Sequence, residues 1–373
     1  MLALAITPSI PGLKAVSRAE PAIAAEDDVK LRVLRVGICG TDREEVAGGR
    51  ALAPPGLTDL VIGHEMLGQV TDIGHSVTRV KPGDFAVFTV RRGCGKCLPC
   101  LMNRPDMCST GDYTERGIWG RDGYQTEYAV DKEQYVVRVP PEFEPIGVLL
   151  EPLSVAEKAI DEAVRVQQSR LPDSQATPYW LYGKRCLVAG LGPIGLLAAM
   201  VLQLRDAEVY GLDVVEDSTP RPRWLEAIGG HYVKGNASAP KDLVANIGTM
   251  DCVIEATGVP LLELNLLDLL GHNGAYVLTG IPGGDRPLQI DGAEIIRRLV
   301  LNNQAMLGSV NAARDHYQMA ADDLAVATCR WGTHVEQLIT QRHPSARYAD
   351  AFAQHGANEI KSVIEWSTPN PTK

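Results

Sequence analysis

The chain contains no uncharged apolar run near the roughly 20 residues that a membrane-spanning helix needs. It also lacks an excess of positive charge: 36 Lys and Arg stand against 46 Asp and Glu, for a net charge of -10. That balance argues against a general binder of nucleic acid or of anionic membranes. Met1 to Pro11 contain neither a basic segment nor an adequate apolar one, so no secretory leader is read there. No internal repeat and no long low-complexity tract is present, so no repeat architecture is expected. Cysteines are few and unevenly placed. Four of the eight fall within fifteen residues, which favours metal binding over a framework of disulfides. A reducing cytoplasm is the expected compartment.

What is present is ordinary globular composition, with 45% hydrophobic and 22% charged residues. A length of 373 residues points to two domains. The first reads as mostly β. Val29 to Ile38 alternate apolar and polar, the mark of a half-buried strand, and deliver Cys39 at its end. Shorter strands follow at Gly68 to Ile73, Phe85 to Val90, Tyr124 to Val130 and Tyr135 to Val139, separated by turn signals such as Lys81-Pro82-Gly83-Asp84.

Chemistry concentrates at three places in this half. Val61-Ile62-Gly63-His64-Glu65 sets an imidazole beside a carboxylate. Cys39 lies upstream and Glu151 downstream, in Leu150-Glu151-Pro152. A thiolate, an imidazole and carboxylates are able to close around one zinc while leaving a position open for catalysis. Thr41 follows Cys39 by two residues, which brings its hydroxyl toward a reacting substrate oxygen. The same residue also reads as the N-cap of a short helix over Asp42 to Val46. Cys94, Cys97, Cys100 and Cys108 are spaced C-x2-C-x2-C-x7-C, suited to a closed structural zinc site. An iron–sulfur cluster is the rival, but no second cluster pattern accompanies it.

After Glu142 the pattern changes. A helix is expected from Leu153 to Gln168, then a polar, proline-containing connection from Ser169 to Tyr182. The strand Arg185 to Ala189 leads into Gly190-Leu191-Gly192-Pro193-Ile194-Gly195 and an apolar helix through Leu204. A second strand, Glu208 to Leu212, ends at Asp213. Strand, glycine turn, helix, strand and acidic residue form the dinucleotide fingerprint. Its glycines admit the pyrophosphate to the helix N-terminus, and Asp213 is placed to hold the ribose hydroxyls. Alternating strands and helices continue to Thr279, as in a parallel, doubly wound sheet. Thr257, Gly258, Gly280 and Ile281 fall at strand C-termini, where such sheets bind ligands. A helix is expected over His334 to Gln341, a last strand over Ile360 to Trp366, and a fraying tail from Ser367 to Lys373.

Cys39-Gly40-Thr41-Asp42, Gly63-His64-Glu65, the four-cysteine lobe, Glu151-Pro152 and Gly190 to Gly195 together resemble the zinc-containing medium-chain alcohol dehydrogenases, over nearly the whole chain. Arg91 to Cys94, Gly111 to Ile118, Glu151 to Ala159 and Gly308 to Asn311 are similar to the microbial glucose 1-dehydrogenases among them. The resemblance implies an α/β protein: a GroES-like, β-rich catalytic domain over 1–152, with its zinc lobe at about 91–110, and a Rossmann domain over 153–308. Residues 309–373 would return to the catalytic domain. It implies two zinc ions per chain. One is held by Cys39, His64 and Glu151, with Glu65 exchanging in or lying behind; the other by the four cysteines. It places Glu115 and Asn311 on sugar hydroxyls, with Asn311 near the cofactor as well. Homodimers or homotetramers are usual in the family.

The expected reaction is oxidation of an aldose at C1 to the lactone, with hydride passing to NAD or NADP. Thr41 and Glu65 are the candidate catalytic residues, and Thr41, Glu115, Glu151 and Asn311 the substrate contacts. Asp213-Val214-Val215-Glu216-Asp217 favours NAD, because its carboxylates repel a 2′-phosphate; Arg221 and Arg223 leave NADP as the second option. The rival readings are a polyol, secondary-alcohol or threonine dehydrogenase and, from another class, a non-catalytic zinc-ribbon protein.

Overall fold

The computed structural model describes residues 1–172, 180–235, 240–283, 287–353 and 356–367. Half of the connection expected at 169–182 and nearly all of the tail lie outside them. The chain folds into two compact units. One comprises Met1–Ser154, Asn311–Asp322 and Ile339–Lys373; the other comprises Val155–Val310 and Asp323–Leu338.

The first unit is built on the strand Asp28–Gly37. Its partners are the antiparallel strands Glu65–Ile73, Tyr128–Lys132 and Lys361–Glu365. Phe85–Phe88, Val136–Val139 and Ile339–Pro344 extend the sheet to seven strands. A second sheet joins Ile10–Ser17, Leu2–Thr7 and Leu60–Val61. Its N-terminal hairpin is invisible to alternation, because Ala3 to Ile6 are apolar and fully buried on both faces.

Two expectations fail. The helix over His334 to Gln341 is replaced by 3-10 turns at Gly332–His334 and Glu336–Leu338, then the strand Ile339–Pro344. Pairing with Lys361–Glu365 overrides local propensity there. The strand expected from Tyr124 starts at Tyr128, because Tyr124 and Gln125 donate instead to the carbonyls of Gly63 and Ile62 (2.8 and 2.9 Å).

The second unit is a parallel six-stranded sheet. Its order is His231–Lys234, Glu208–Asp213, Arg185–Ala189, Met250–Glu255, Leu270–Leu278, Ala305–Gly308. That is strand order 3-2-1-4-5-6, the doubly wound dinucleotide-binding arrangement. Leu187, Val253, Leu266, Leu269 and Tyr276 centre its core.

A buried acidic pair also lies in this unit. Glu157, on the helix Leu150–Arg170, faces Asp323, on the helix Arg314–Trp331, with Arg205 bridging them at 3.6 and 2.7 Å. Burial pushes the Glu157 carboxyl up to about 9; Asp323 and Asp161 add to the rise and Arg205 opposes it. The folded protein therefore keeps a proton that the unfolded chain has released. This stability is whole below about pH 4.5 and is lost as pH rises toward 9. Urea unfolding at pH 5 and pH 8.5 is expected to show a loss exceeding about 2 kcal/mol that Glu157→Gln reduces. The same loss in both proteins would put its origin elsewhere.

Candidate active site

Cys39 sits where the central strand gives way to the helix Gly40–Val46. It is the N-cap of that helix, which moves Thr41 from the expected cap into the first turn. The cap is closed from below, by Cys39 N donating to Asp42 Oδ2 (2.8 Å). Asp42 is wholly buried, and its other oxygen faces His64 Nδ1 at 3.5 Å. One carboxylate thus holds the Cys39 main chain and faces the imidazole, as outer partners of metal ligands do.

His64 and Glu65 lie where the loop after Leu60–Val61 enters the strand Glu65–Ile73. The backing of that loop is main chain. A Cβ at Gly117 or Gly123 would lie 2.4 or 2.3 Å from Gly63 O. Glycines there let three backbone segments touch behind His64. Glu65 pairs in register with Gly37, and Lys361 reaches both from the neighbouring strand. The Lys361 ammonium forms an ion pair with Glu65 and donates to Ile38 O (3.1 Å); both side chains are 1% exposed.

The ligand atoms of Cys39, His64 and Glu65 lie within 4.8 Å of one another. Glu151 stands outside that set, in the first turn of its helix and nearly buried. Burial pushes its carboxyl up to about 7, and Glu65 and Asp42 reinforce the shift against His64 and Lys361. Burial would lower the His64 imidazole, but Asp42 and Cys39 overcome it and hold the ring well above its ordinary value. A field that favours a proton on the ring also favours a metal cation. The donor set fits zinc.

The four-cysteine lobe fits a second ion. Its sulfurs all lie within 4.8 Å of one another, with Cys94 to Cys100 at 3.9 Å and Cys97 to Cys108 at 4.0 Å. Zinc–sulfur bonds of about 2.3 Å arranged tetrahedrally give edges of about 3.8 Å, whereas a disulfide requires about 2.05 Å. Backbone amides at Cys100 and Ser109 lower the Cys97 thiol, while burial raises that of Cys100.

Glu115 and Asn311 meet, although 196 residues separate them. Asn311, in the left-handed region at φ 63°, donates from Nδ2 to Glu115 Oε1 (2.7 Å). Arg91 holds the same oxygen at 3.0 Å, and is itself tied to Asp106 O and stacked on Tyr113. The pair forms a rigid, polar, buried element.

In the second unit the glycine turn is as expected. A Cβ at Gly195 would meet Gly190 O at 1.8 Å, so helix and strand pack main chain to main chain; at Gly192 it would meet nothing. Asp213 accepts from Leu191 N (2.9 Å) and Val214 N (2.6 Å), and Arg221 approaches it to 3.7 Å. Thr257 and Gly258 are tied down by the wholly buried Glu255, which accepts from both amides at 2.5 and 3.2 Å. A Cβ at Gly280 would lie 2.3 Å from Gly258 N, so the two loops touch; Ile281 is half exposed beside them.

Sequence reading missed Lys361, Glu255, and the roles of Asp42 and Arg91. Asp42 had a signal, three residues after Cys39 in a capping pattern. Lys361 had none, because only the return of the last strand brings it beside Glu65.

Comparison with known proteins accords with this geometry. Residues 25–141 match the alcohol dehydrogenase GroES-like domain, and residues 144–366 match the family described as glucose dehydrogenase C-terminus. The chain belongs to the zinc-containing medium-chain alcohol dehydrogenases, on their glucose dehydrogenase branch. It is 37% identical to glucose 1-dehydrogenase 1 of Caldivirga maquilingensis, over 98% of this chain and 99% of that one. It is 38% identical to glucose 1-dehydrogenase 2 of Vulcanisaeta moutnovskia, over 98% and 99%. Its fold superposes on Haloferax mediterranei glucose dehydrogenase, solved in complex with NADP, Zn and gluconolactone, with a TM-score of 0.88 and 31% identity, covering 99% and 100% of the two chains. Among the described residues, no helix is long and apolar enough to cross a membrane.

Proposed function

We propose that this enzyme oxidises glucose or a closely related aldose at C1 to the lactone, delivering the hydride to a nicotinamide dinucleotide. The observation that carries the reading is the convergence of Cys39, His64 and Glu65 in the unit that also joins Glu115 to Asn311. Full-length likeness to glucose dehydrogenases supports it. Cys39, His64 and Glu65 would hold the catalytic zinc, with Glu151 as the further carboxylate. When bound, zinc supplies Lewis acidity toward the substrate hydroxyl.

The chain does the rest. Asp42 fixes the imidazole and the Cys39 amide. Lys361 sets a positive charge against the buried Glu65 carboxylate. Glu115 and Asn311 accept and donate hydrogen bonds to ring hydroxyls remote from C1. Thr41 relays the proton leaving the C1 hydroxyl outward, passing its own hydroxyl proton on to solvent as it receives that one. The Gly190 to Gly195 turn and the Thr257 and Gly280 loops hold the dinucleotide.

The unit of Met1–Ser154, Asn311–Asp322 and Ile339–Lys373 is assigned to catalysis, and that of Val155–Val310 and Asp323–Leu338 to the cofactor. A dimer through the nucleotide units is favoured by the edge strand Ala305–Gly308 and by exposed Ile296, Val300 and Leu301 on the helix Gly292–Leu301.

The test is reduction of NAD and NADP with glucose, galactose, xylose, sorbitol, threonine and simple alcohols. Aldoses are expected to lead by at least a decade in kcat/KM; a lead by sorbitol or threonine would overturn the substrate assignment. NAD is expected to be preferred, since Asp213 occupies the place of a 2′-phosphate. Asp213→Ser then removes charge-assisted bonds worth about 1.5–3 kcal/mol each. NAD affinity should fall by about one to two decades or more, leaving Arg221 to favour NADP. Wild-type preference for NADP would refute the Asp213 argument.

A further inference from the structure

The small ribbon that carries Glu115 has two faces. Arg91 pairs with Glu115 and Arg92 with Thr114 across antiparallel strands. Alternation therefore sends Arg91 and Glu115 toward Asn311, and Arg92, Thr114 and Arg116 to the opposite side. On that far side lies a pocket of about 360 Å³ that the proposed reaction does not use.

Its walls are basic in an acidic chain. Arg92 and Arg116 both donate to Asp131 Oδ2, at 2.7 and 2.6 Å. Arg121, from the adjoining strand Gly120–Arg121, adds a third guanidinium. Asp131 and Asp112 are the carboxylates in the wall, and Lys132 is already paired with Asp27 (2.7 Å). Two guanidiniums and one ammonium thus line it against two carboxylates, with Arg116 behind Asp131.

The donors of Arg92 are spent within the protein, on Asp131, Thr89 and Tyr124, and its plane is stacked on Tyr135 at 3.8 Å. Those of Arg121 are not: among the described residues its guanidinium makes no hydrogen bond and no ion pair. Arg121 is exposed, yet desolvation beside the protein wall and the charges of Arg116 and Arg92 pull its guanidinium below the ordinary arginine range despite Asp131.

We propose that this pocket is a binding site for a phosphate-type oxyanion, either free phosphate or the phosphate of a small monoester. Arg121 is its fork-shaped ligand. The Thr114 hydroxyl and the Lys132 ammonium line the same space. Arg92 and Arg116 act through their field. The pocket volume admits a small organic group behind the phosphate.

The experiment is calorimetric titration of the zinc-loaded enzyme with inorganic phosphate, with NAD saturating the dinucleotide site. Wild type, Arg121→Gln and Arg121→Lys are compared. Binding is expected to weaken at least tenfold in Arg121→Gln and less in Arg121→Lys. Aldose turnover stays unchanged, because Arg121 lies on the far face of the ribbon. Without phosphate, the thermal midpoint of Arg121→Gln should equal or exceed that of wild type, since a repelled charge is removed. A parallel titration with a hexose monophosphate separates the sources: tighter binding than phosphate identifies a monoester, and equal binding identifies free phosphate. Phosphate binding that Arg121→Gln leaves unchanged, or none in wild type, overturns the proposal.

Discussion

Replacing His64 with alanine is expected to abolish turnover while leaving most of the fold in place. The imidazole belongs to the three-residue donor set and is itself oriented by Asp42. Its loss should lower kcat/KM by three decades or more, about 4 kcal/mol of transition-state stabilisation. The structural cost is smaller. Asp42 loses one buried partner, worth about 1–3 kcal/mol, against a typical folding stability of about 5–15 kcal/mol. Metal analysis should fall from two ions to one, with the four-cysteine site still filled. Activity within tenfold of wild type would remove His64 from the chemistry.

The opposite separation is expected for Cys97→Ser. Closed zinc sites contribute about 10–16 kcal/mol to the folding of small zinc domains. Even a third of that, lost from a unit of this size, lowers the thermal midpoint by about 10 °C. Folded yield should drop and one zinc be lost, while kcat per folded molecule stays near wild type. The sulfur geometry supports this, with pairs at 3.9 and 4.0 Å. An unaltered midpoint with two metals still bound would rule out a structural role for the knot.

How far these sites could be read beforehand depended on the sequence distance between partners. Local patterns carried the cysteine lobe, the glycine turn and the Gly63-His64-Glu65 triplet, because each is compact in sequence. The doubly wound sheet was legible because its strands and helices alternate with clear periods. The N-terminal hairpin was not, since a strand buried on both faces shows no alternation. The last strands were half legible: Lys361–Glu365 reads as a strand, but the first half of its partner, Ile339 to Gln341, reads locally as the end of a helix. The pairing that corrects this reading also brings Lys361 to Glu65. Glu115 and Asn311 were joined by likeness alone; the bond between them, and the grip of Arg91 on Glu115, emerge only in three dimensions.

Gly37 has a consequence for how this enzyme can change over generations. A Cβ there would lie 2.0 Å from Glu65 Oε2 and 2.9 Å from Lys361 Cε. Three adjacent strands thus share one small volume, which a missing side chain, a carboxylate and an ammonium fill together. No single replacement among the three is neutral. A larger residue at 37 collides, loss of Lys361 strands a buried anion, and loss of Glu65 strands a buried cation, at about 3–5 kcal/mol for a broken buried pair. The three positions form one unit of inheritance, and a path to another arrangement behind the metal must cross a valley of poorly folded intermediates or change two of them at once.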